Sequence, residues 1–299
     1  MRLKFTPLVV LLVLLSNGAC SRKPTLTIGS KSTIEQAIVA EIIAQHVEKR
    51  LGLPVVRKTN LGDTAAVFSG LMGGEIDLYP EYSGAAASTI LNLSPTGNPG
   101  VLRERIRTES RNRLNVEWIA PLGFDAAYAI AIPGSLAREN GFETIADVEN
   151  DRSRTWRFAV TFEFFERPEY LKLFNRTYSI PFAAAIQAME RNQLPHSLSA
   201  GAADMVAVPR TLGGFVGADV KFLTDTKGML PSMEAAIAVK REALQRFPGL
   251  EGALRELTGR IRPEAIQKLN RLAEVDQTPA GELARQFLGS GATNLSSMH

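Results

Sequence analysis

Residues 25–52 read TLTIGSKSTIEQAIVAEIIAQHVEKRLG, and a change of period inside this stretch decides the fold. TLTIGS (25–30) alternates apolar and polar positions, as a half-buried strand does. Past Ser30 the pattern becomes helical. Ser32 with Glu35, or Thr33 with Gln36, has capping-box spacing, Ile34, Ile38 and Ile42 form an i+4 stripe, and Gly52 marks a stop. Working outward, PVVRKTN (54–60) predicts a second strand, DTAAVFSGLM (63–72) a second helix closed by Gly73 and Gly74, and EIDLY (75–79) a third strand. Short connections between alternating strands and helices imply a parallel sheet flanked by helices.

The remainder repeats the alternation. A polar helix is expected at about 100–114, followed by the strand-like VEWIAPLGF (116–124). AYAIAI (127–132), WRFAVTF (156–162), MVAV (205–208), VKFL (220–223) and AAIAV (235–239) read as strands, with helical segments near 168–175 and 182–192. REALQRF, LEGALREL, PEAIQKLNRLAE and PAGELARQFL then read as helices, punctuated by Pro or Gly. The expected fold class is α/β, as two lobes with the second inserted into the first. The chain would cross near Gly123 and return near Thr226, so that 21–122 and 227–299 form one lobe and 123–226 the other.

Residues 1–20, MRLKFTPLVVLLVLLSNGAC, stand apart. Arg2 and Lys4 precede an apolar run from Leu8 to Leu15, far short of the roughly 20 residues a membrane-crossing helix needs. This predicts an export signal, and Gly18-Ala19-Cys20 is where a lipoprotein-type signal would be cut and Cys20 lipidated. Asn17 departs from the leucine-like residue usual at its position, and an ordinary exported protein with a spare thiol is the alternative reading. The expected location is the periplasm or the outer face of the cytoplasmic membrane, with a lipid anchor as the membrane contact.

Cleavage at Cys20 removes two of the 34 basic residues and leaves them balanced against 31 acidic ones. With no basic run interleaved with aromatics, nucleic acid is not an expected partner. An acylated Cys20 leaves no thiol for disulfides or nucleophilic catalysis, and three histidines supply a metal site poorly. No cofactor or metal is expected.

Three groups could carry chemistry. Lys31 lies between a strand end and a capped helix start, where free N–H groups and the helix dipole favour an anion; a merely solvated lysine is the bland alternative. Arg167, in TFEFFERPEY, could grip a carboxylate through two parallel hydrogen bonds, or simply pair with Glu163 or Glu166. Tyr79, Tyr82 and Tyr128 could face a cation, particularly a quaternary ammonium that has no N–H to hydrogen-bond, or could pack in the core. Carboxylates such as Glu75, Asp77, Glu81, Glu163 and Glu166 show no spacing that selects an acid–base pair.

The order of segments is what becomes recognisable. IGSKSTIEQ, NLGDTAAVFSGLMGGEIDLYPEYSG, PLGFDAAYAIAI and EFFERPEY, in that sequence, resemble the osmoprotectant receptors of ABC importers, which take glycine betaine, choline and carnitine. The resemblance runs from about Leu26 to Leu288. It implies a type II two-lobe periplasmic-binding-protein fold, no enzymatic activity, a small solute as ligand, and ABC permease and ATPase subunits as partners.

It also implies roles. Lys31 and Arg167 match the residues that bind the solute carboxylate. Tyr82 and Tyr128 match two of four tyrosines that box the ammonium. The other two positions carry Pro209, in AVPRTLG, and Met233, in LPSMEA, and an expected threonine is Ala85. Each cation–aromatic contact contributes about 0.5–2 kcal/mol, so two losses weaken glycine betaine binding by about one to three factors of ten. Met233 would still give a soft apolar wall. The solute expected is therefore a carboxylate-bearing one, amphoteric or anionic, such as an aromatic or larger betaine. An enzyme or a ligand sensor on the same two-lobe scaffold is the alternative.

Overall fold

The computed structural model describes residues 24–94, 98–165 and 168–289. In chain order, β1 (Leu26–Gly29), α1 (Ile34–Leu51), β2 (Val55–Lys58), α2 (Thr64–Met72) and β3 (Leu78–Tyr82) come first. The short α3 (Ser83–Ala85) runs into a π-helical turn over Ala86–Ile90, and α4 (Pro99–Leu114) leads to β4 (Val116–Ile119). The second unit holds β5 (Tyr128–Pro133), α5 (Gly134–Asn140), α6 (Ile145–Asn150), β6 (Phe158–Thr161), α7 (Phe162–Phe165) and α8 (Pro168–Thr177). It continues with β7 (Gln187–Met189), α9 (Leu194–Ser199), β8 (Met205–Pro209) and β9 (Val220–Phe222). The chain then returns through β10 (Ala235–Lys240), α10 (Arg241–Arg246), α11 (Leu250–Arg255), α12 (Pro263–Glu274) and α13 (Ala280–Gly289).

Two five-stranded sheets result, ordered β2-β1-β3-β10-β4 and β7-β6-β8-β5-β9. Each is mixed rather than wholly parallel. β1 runs parallel to β2 and β3, but β10 is antiparallel to both β3 and β4. In the second sheet β6 is parallel to β7 and β8, while β5 is antiparallel to β8 and β9. The strands that break the parallel order flank the two passages of the chain between sheets. These passages pair with each other: Leu122 N–H donates to Ala235 O at 2.8 Å and Ala126 N–H to Met233 O at 3.1 Å. The crossing is thus a two-stranded tie.

Helix α1 forms for the reasons its sequence suggests. Thr33 caps it by accepting from Gln36 N–H, and Gly52 closes it in the left-handed region at φ 61°. Ile38, Ile42 and Ile43 are fully buried against the helices of the returning segment, each contributing about 1.5–3 kcal/mol by burial. One core lies on this face of sheet one, a second on its other face around Tyr79, and two more flank sheet two.

Two expectations need correction. The third strand is Leu78–Tyr82, not 75–79, so Pro80 lies within it. Asp77 is spent before the strand begins, accepting from Thr27 N–H at 2.8 Å and pairing with Arg246. β1 meets β3 only at Ile28 opposite Leu78, so on that edge Pro80 lacks no ladder partner. Second, 182–190 is not helical, and only a short 3-10 turn, Arg191–Gln193, begins at the end of the expected helix. The alanines of this stretch read as helix, yet Gln187–Met189 pairs in parallel with β6, and ladder pairing outranks local propensity.

Candidate functional site

The C-terminal ends of β1 and β3, the start of β5, the end of β8 and the helices facing them enclose a cleft of about 560 Å³. Lys31, Tyr82, Tyr128, Pro209 and Met233 all line it. Lys31 and Tyr82 come from sheet one, and Tyr128 and Pro209 from sheet two, where they face each other across the β5–β8 ladder. Arg167 and Cys20 lie outside the described residues. Tyr79 does not reach the cleft and is fully buried in the core behind β3.

Lys31 is engaged from within. Its ammonium bonds Glu81, which is fully buried, and sits 5.0 Å from the centroid of the Tyr82 ring. Glu81 also accepts from Tyr82 N–H at 2.6 Å. Next to this pair, the Tyr82 hydroxyl donates to Glu35, and Asn270 Nδ2 donates to the other Glu35 oxygen at 2.7 Å. Burial, with Glu35 adding to it, pushes the Tyr82 phenol well above its ordinary value, so it remains a donor.

On the facing wall the Tyr128 hydroxyl shares a hydrogen with Thr161 Oγ1 at 2.9 Å, while its ring meets Tyr170 edge-on at 6.1 Å. Phe164 supports both rings from behind, at 5.1 and 5.7 Å. Met233 is placed by Asp125, which accepts from Met233 N–H at 2.8 Å, from Ala127 N–H at 2.7 Å and from the Ser232 hydroxyl at 2.7 Å. Gly84 admits this loop: a Cβ there would lie 2.6 Å from Ser232 O and 2.9 Å from Met233 Sδ.

Residues that the sequence reading did not place here change the chemistry. Glu35, noted only as a capping residue, faces the cleft instead. Tyr170 ends the quoted segment EFFERPEY and brings a third tyrosine. Glu163, Arg191, Asp63 and Glu274 also line the cavity, which therefore has four carboxylates against two cations among its described lining residues. Arg191 pairs with Glu163 at 2.9 Å. Burial, opposed by Arg191 and reinforced by Glu35, holds the Glu274 carboxyl above the usual range. An adjoining recess of about 430 Å³ shares Glu163, Arg191 and Glu274 with the cleft and adds Met189 and Phe162. Arg210 is not among the lining residues; the Gln267 amide donates to its carbonyl at 2.6 Å.

The chain matches known proteins in sequence and in fold. A model of the substrate-binding domain of ABC-type glycine betaine transport systems matches residues 24–290. An ergothioneine transport permease/ergothioneine binding protein of Helicobacter pylori (strain G27) is 30% identical over 95% of the chain, which spans 50% of that protein's length. A glycine betaine-binding protein of Escherichia coli (strain K12) is 24% identical over 87% of this chain and 88% of its own. In fold, the crystal structure of a glycine betaine/carnitine/choline ABC transporter protein superposes with a TM-score of 0.81 at 20% identity, over 89% of this chain and 98% of that one. The architecture is thus the two-lobe periplasmic-binding-protein fold, and the match across nearly all described residues means that the chain belongs to the family of substrate-binding domains of ABC-type glycine betaine transport systems.

Proposed function

We propose that the chain is the solute receptor of an ABC importer and that its cleft takes a betaine with an arm longer than that of glycine betaine. The observation carrying this reading is the cleft wall itself: Tyr82, Tyr128, Tyr170 and Met233 beside an excess of carboxylates. A quaternary ammonium has no N–H to hydrogen-bond and is held by electron-rich faces and negative charge. The solute carboxylate goes to Lys31, whose ammonium has three donors and gives one to Glu81. Arg167 joins it on the strength of the sequence resemblance. The recess bounded by Glu163, Arg191 and Glu274 receives the distal arm, which would carry both donors and acceptors. The ergothioneine named for the H. pylori relative has the required character, a betaine with a heterocyclic arm.

In this reading residues 123–226 form the lobe that closes onto 21–122 and 227–299. Closure follows because the solute touches both lobes and so favours the closed state. The receptor works outside the cytoplasmic membrane, tethered through a lipidated Cys20, and delivers solute to a permease driven by an ATPase. The union of permease and binding protein in the H. pylori relative supports that partner.

Isothermal titration of refolded, solute-free protein with glycine betaine, carnitine, ergothioneine and acetate tests the reading. We expect ergothioneine to bind at least about tenfold more tightly than glycine betaine, and acetate not at all. Preference for glycine betaine, or tight binding of a carboxylate lacking a cation, would overturn it.

A further inference from the structure

Asn270, on α12, carries one side-chain amide between the two lobes. Its Nδ2 donates to Thr211 O at 2.8 Å, on the segment that leaves β8, and to Glu35 Oε2 at 2.7 Å, on α1. The other Glu35 oxygen takes the Tyr82 hydroxyl. A continuous chain of hydrogen bonds therefore runs from the backbone of the second lobe to an aromatic wall residue of the first. Asn270 is 2% exposed and Glu35 9%, so bulk water does not stand in for either partner. An amide nitrogen has two hydrogens, and both are committed only while Thr211 is seated on α12.

The surroundings show that this seat is a close contact. The Gln267 amide donates to Arg210 O at 2.6 Å, one turn before Asn270. A Cβ on Gly213 would lie 2.3 Å from the backbone nitrogen of Arg271, one residue after it. Glycine at 213 is what lets the second lobe come down on α12, and Asn270 is the side chain that reports its arrival to the cleft.

We propose that Asn270 is a positioning residue that couples seating of the second lobe to the placement of Tyr82, acting through Glu35. The proposal rests on the reading of Tyr82 as a wall of the solute site. With the lobe seated, Glu35 is held from one side and fixes the phenol. With the lobe lifted, Asn270 turns, Glu35 loses its anchor, and Tyr82 presents its ring less sharply. Placement of the aromatic wall and closure of the cleft then become one cooperative event, because a hydrogen-bond network inside a buried site behaves as a unit.

A double-mutant cycle tests this directly. Asn270→Ala, Tyr82→Phe and the double variant are titrated with ergothioneine and glycine betaine, and the solute-free compactness of each is measured by small-angle X-ray scattering. Tyr82→Phe keeps the ring and removes only the hydroxyl through which Glu35 acts. We expect each single variant to weaken binding about tenfold and the double variant to be no weaker than the poorer single one. Additive losses in the double variant would show that Asn270 acts only by supporting the fold, and would overturn the coupling. If the wild type binds neither solute, the functional reading fails by itself. The coupling is still judged by scattering: Asn270→Ala is expected to open the solute-free protein, and an unchanged profile sinks it.

Discussion

Lys31 shows how a cleft residue can also be structural. It lies at the mouth of β1, 8% exposed, with its ammonium on a carboxylate that has no exposure at all. Removing one partner of such a pair leaves a buried charge uncompensated, a loss of about 3–5 kcal/mol. Lys31→Met should therefore lower the urea midpoint sharply, and Lys31→Met with Glu81→Gln should regain most of the loss. Equal stability of the single variant and the wild type would show that the pair does not carry this cost. Tyr170 invites the opposite test, because it stands at the cleft with its ring against Tyr128 and Phe164. Tyr170→Ala should weaken binding of ergothioneine about tenfold in calorimetry, while Tyr170→Phe stays near wild type, since in the proposed reading the ring is what holds the cation. A Phe variant as poor as Ala would assign the effect to the hydroxyl.

At the scale of elements, α1 organises the first lobe and carries its own acid sensitivity. His46 packs against α11, with Nε2 donating to Ala253 O at 3.0 Å and Glu256 3.3 Å away. Burial lowers its pKa below the ordinary 6.5; Ala253 and Glu256 oppose this, while Arg260 and Arg50 add to it. The sign follows from linkage. As pH falls below 6.5, the unfolded chain takes the proton first, so stability is full above that value and is lost down to the depressed folded pKa. Melting temperatures taken from about pH 8 to about pH 5 should fall in the lower half of the range, and less so for His46→Gln. Parallel curves for the two proteins would remove His46 from the account. The 182–192 stretch teaches a different lesson. Its pairing partner, Ala159 opposite Gln187, is remote in sequence, so no local window reveals that it is a strand.

For the whole molecule, the proposed reading turns on closure of the two lobes. The chain belongs to a family of substrate-binding domains, not enzymes, and in that reading its action is a change in the separation of two lobes joined by the tie at Leu122–Ala126 and Met233–Ala235. Gly213→Ala tests that motion without altering any cleft side chain, because the new Cβ would strike the backbone of Arg271. We expect a more open solute-free scattering profile and, as the competent fraction falls, an apparent Kd raised about tenfold. A Gly213→Ala protein as compact and as tight-binding as wild type would show that this contact does not govern closure.

The sequence alone determined the α/β class, the ends of α1 and the order of motifs that carry Lys31, Tyr82 and Tyr128, because capping, periodicity and turn chemistry act over a few residues. The family resemblance also pointed to Met233 and Pro209, and both line the cleft. What only the tertiary structure decided is who meets whom. Glu35 finds Asn270 across 235 residues, Lys31 turns to Glu81, Tyr170 joins Tyr128, and the returning β10 makes sheet one mixed. These pairings depend on the direction in which folded elements face one another, and no stretch of neighbouring residues contains that direction.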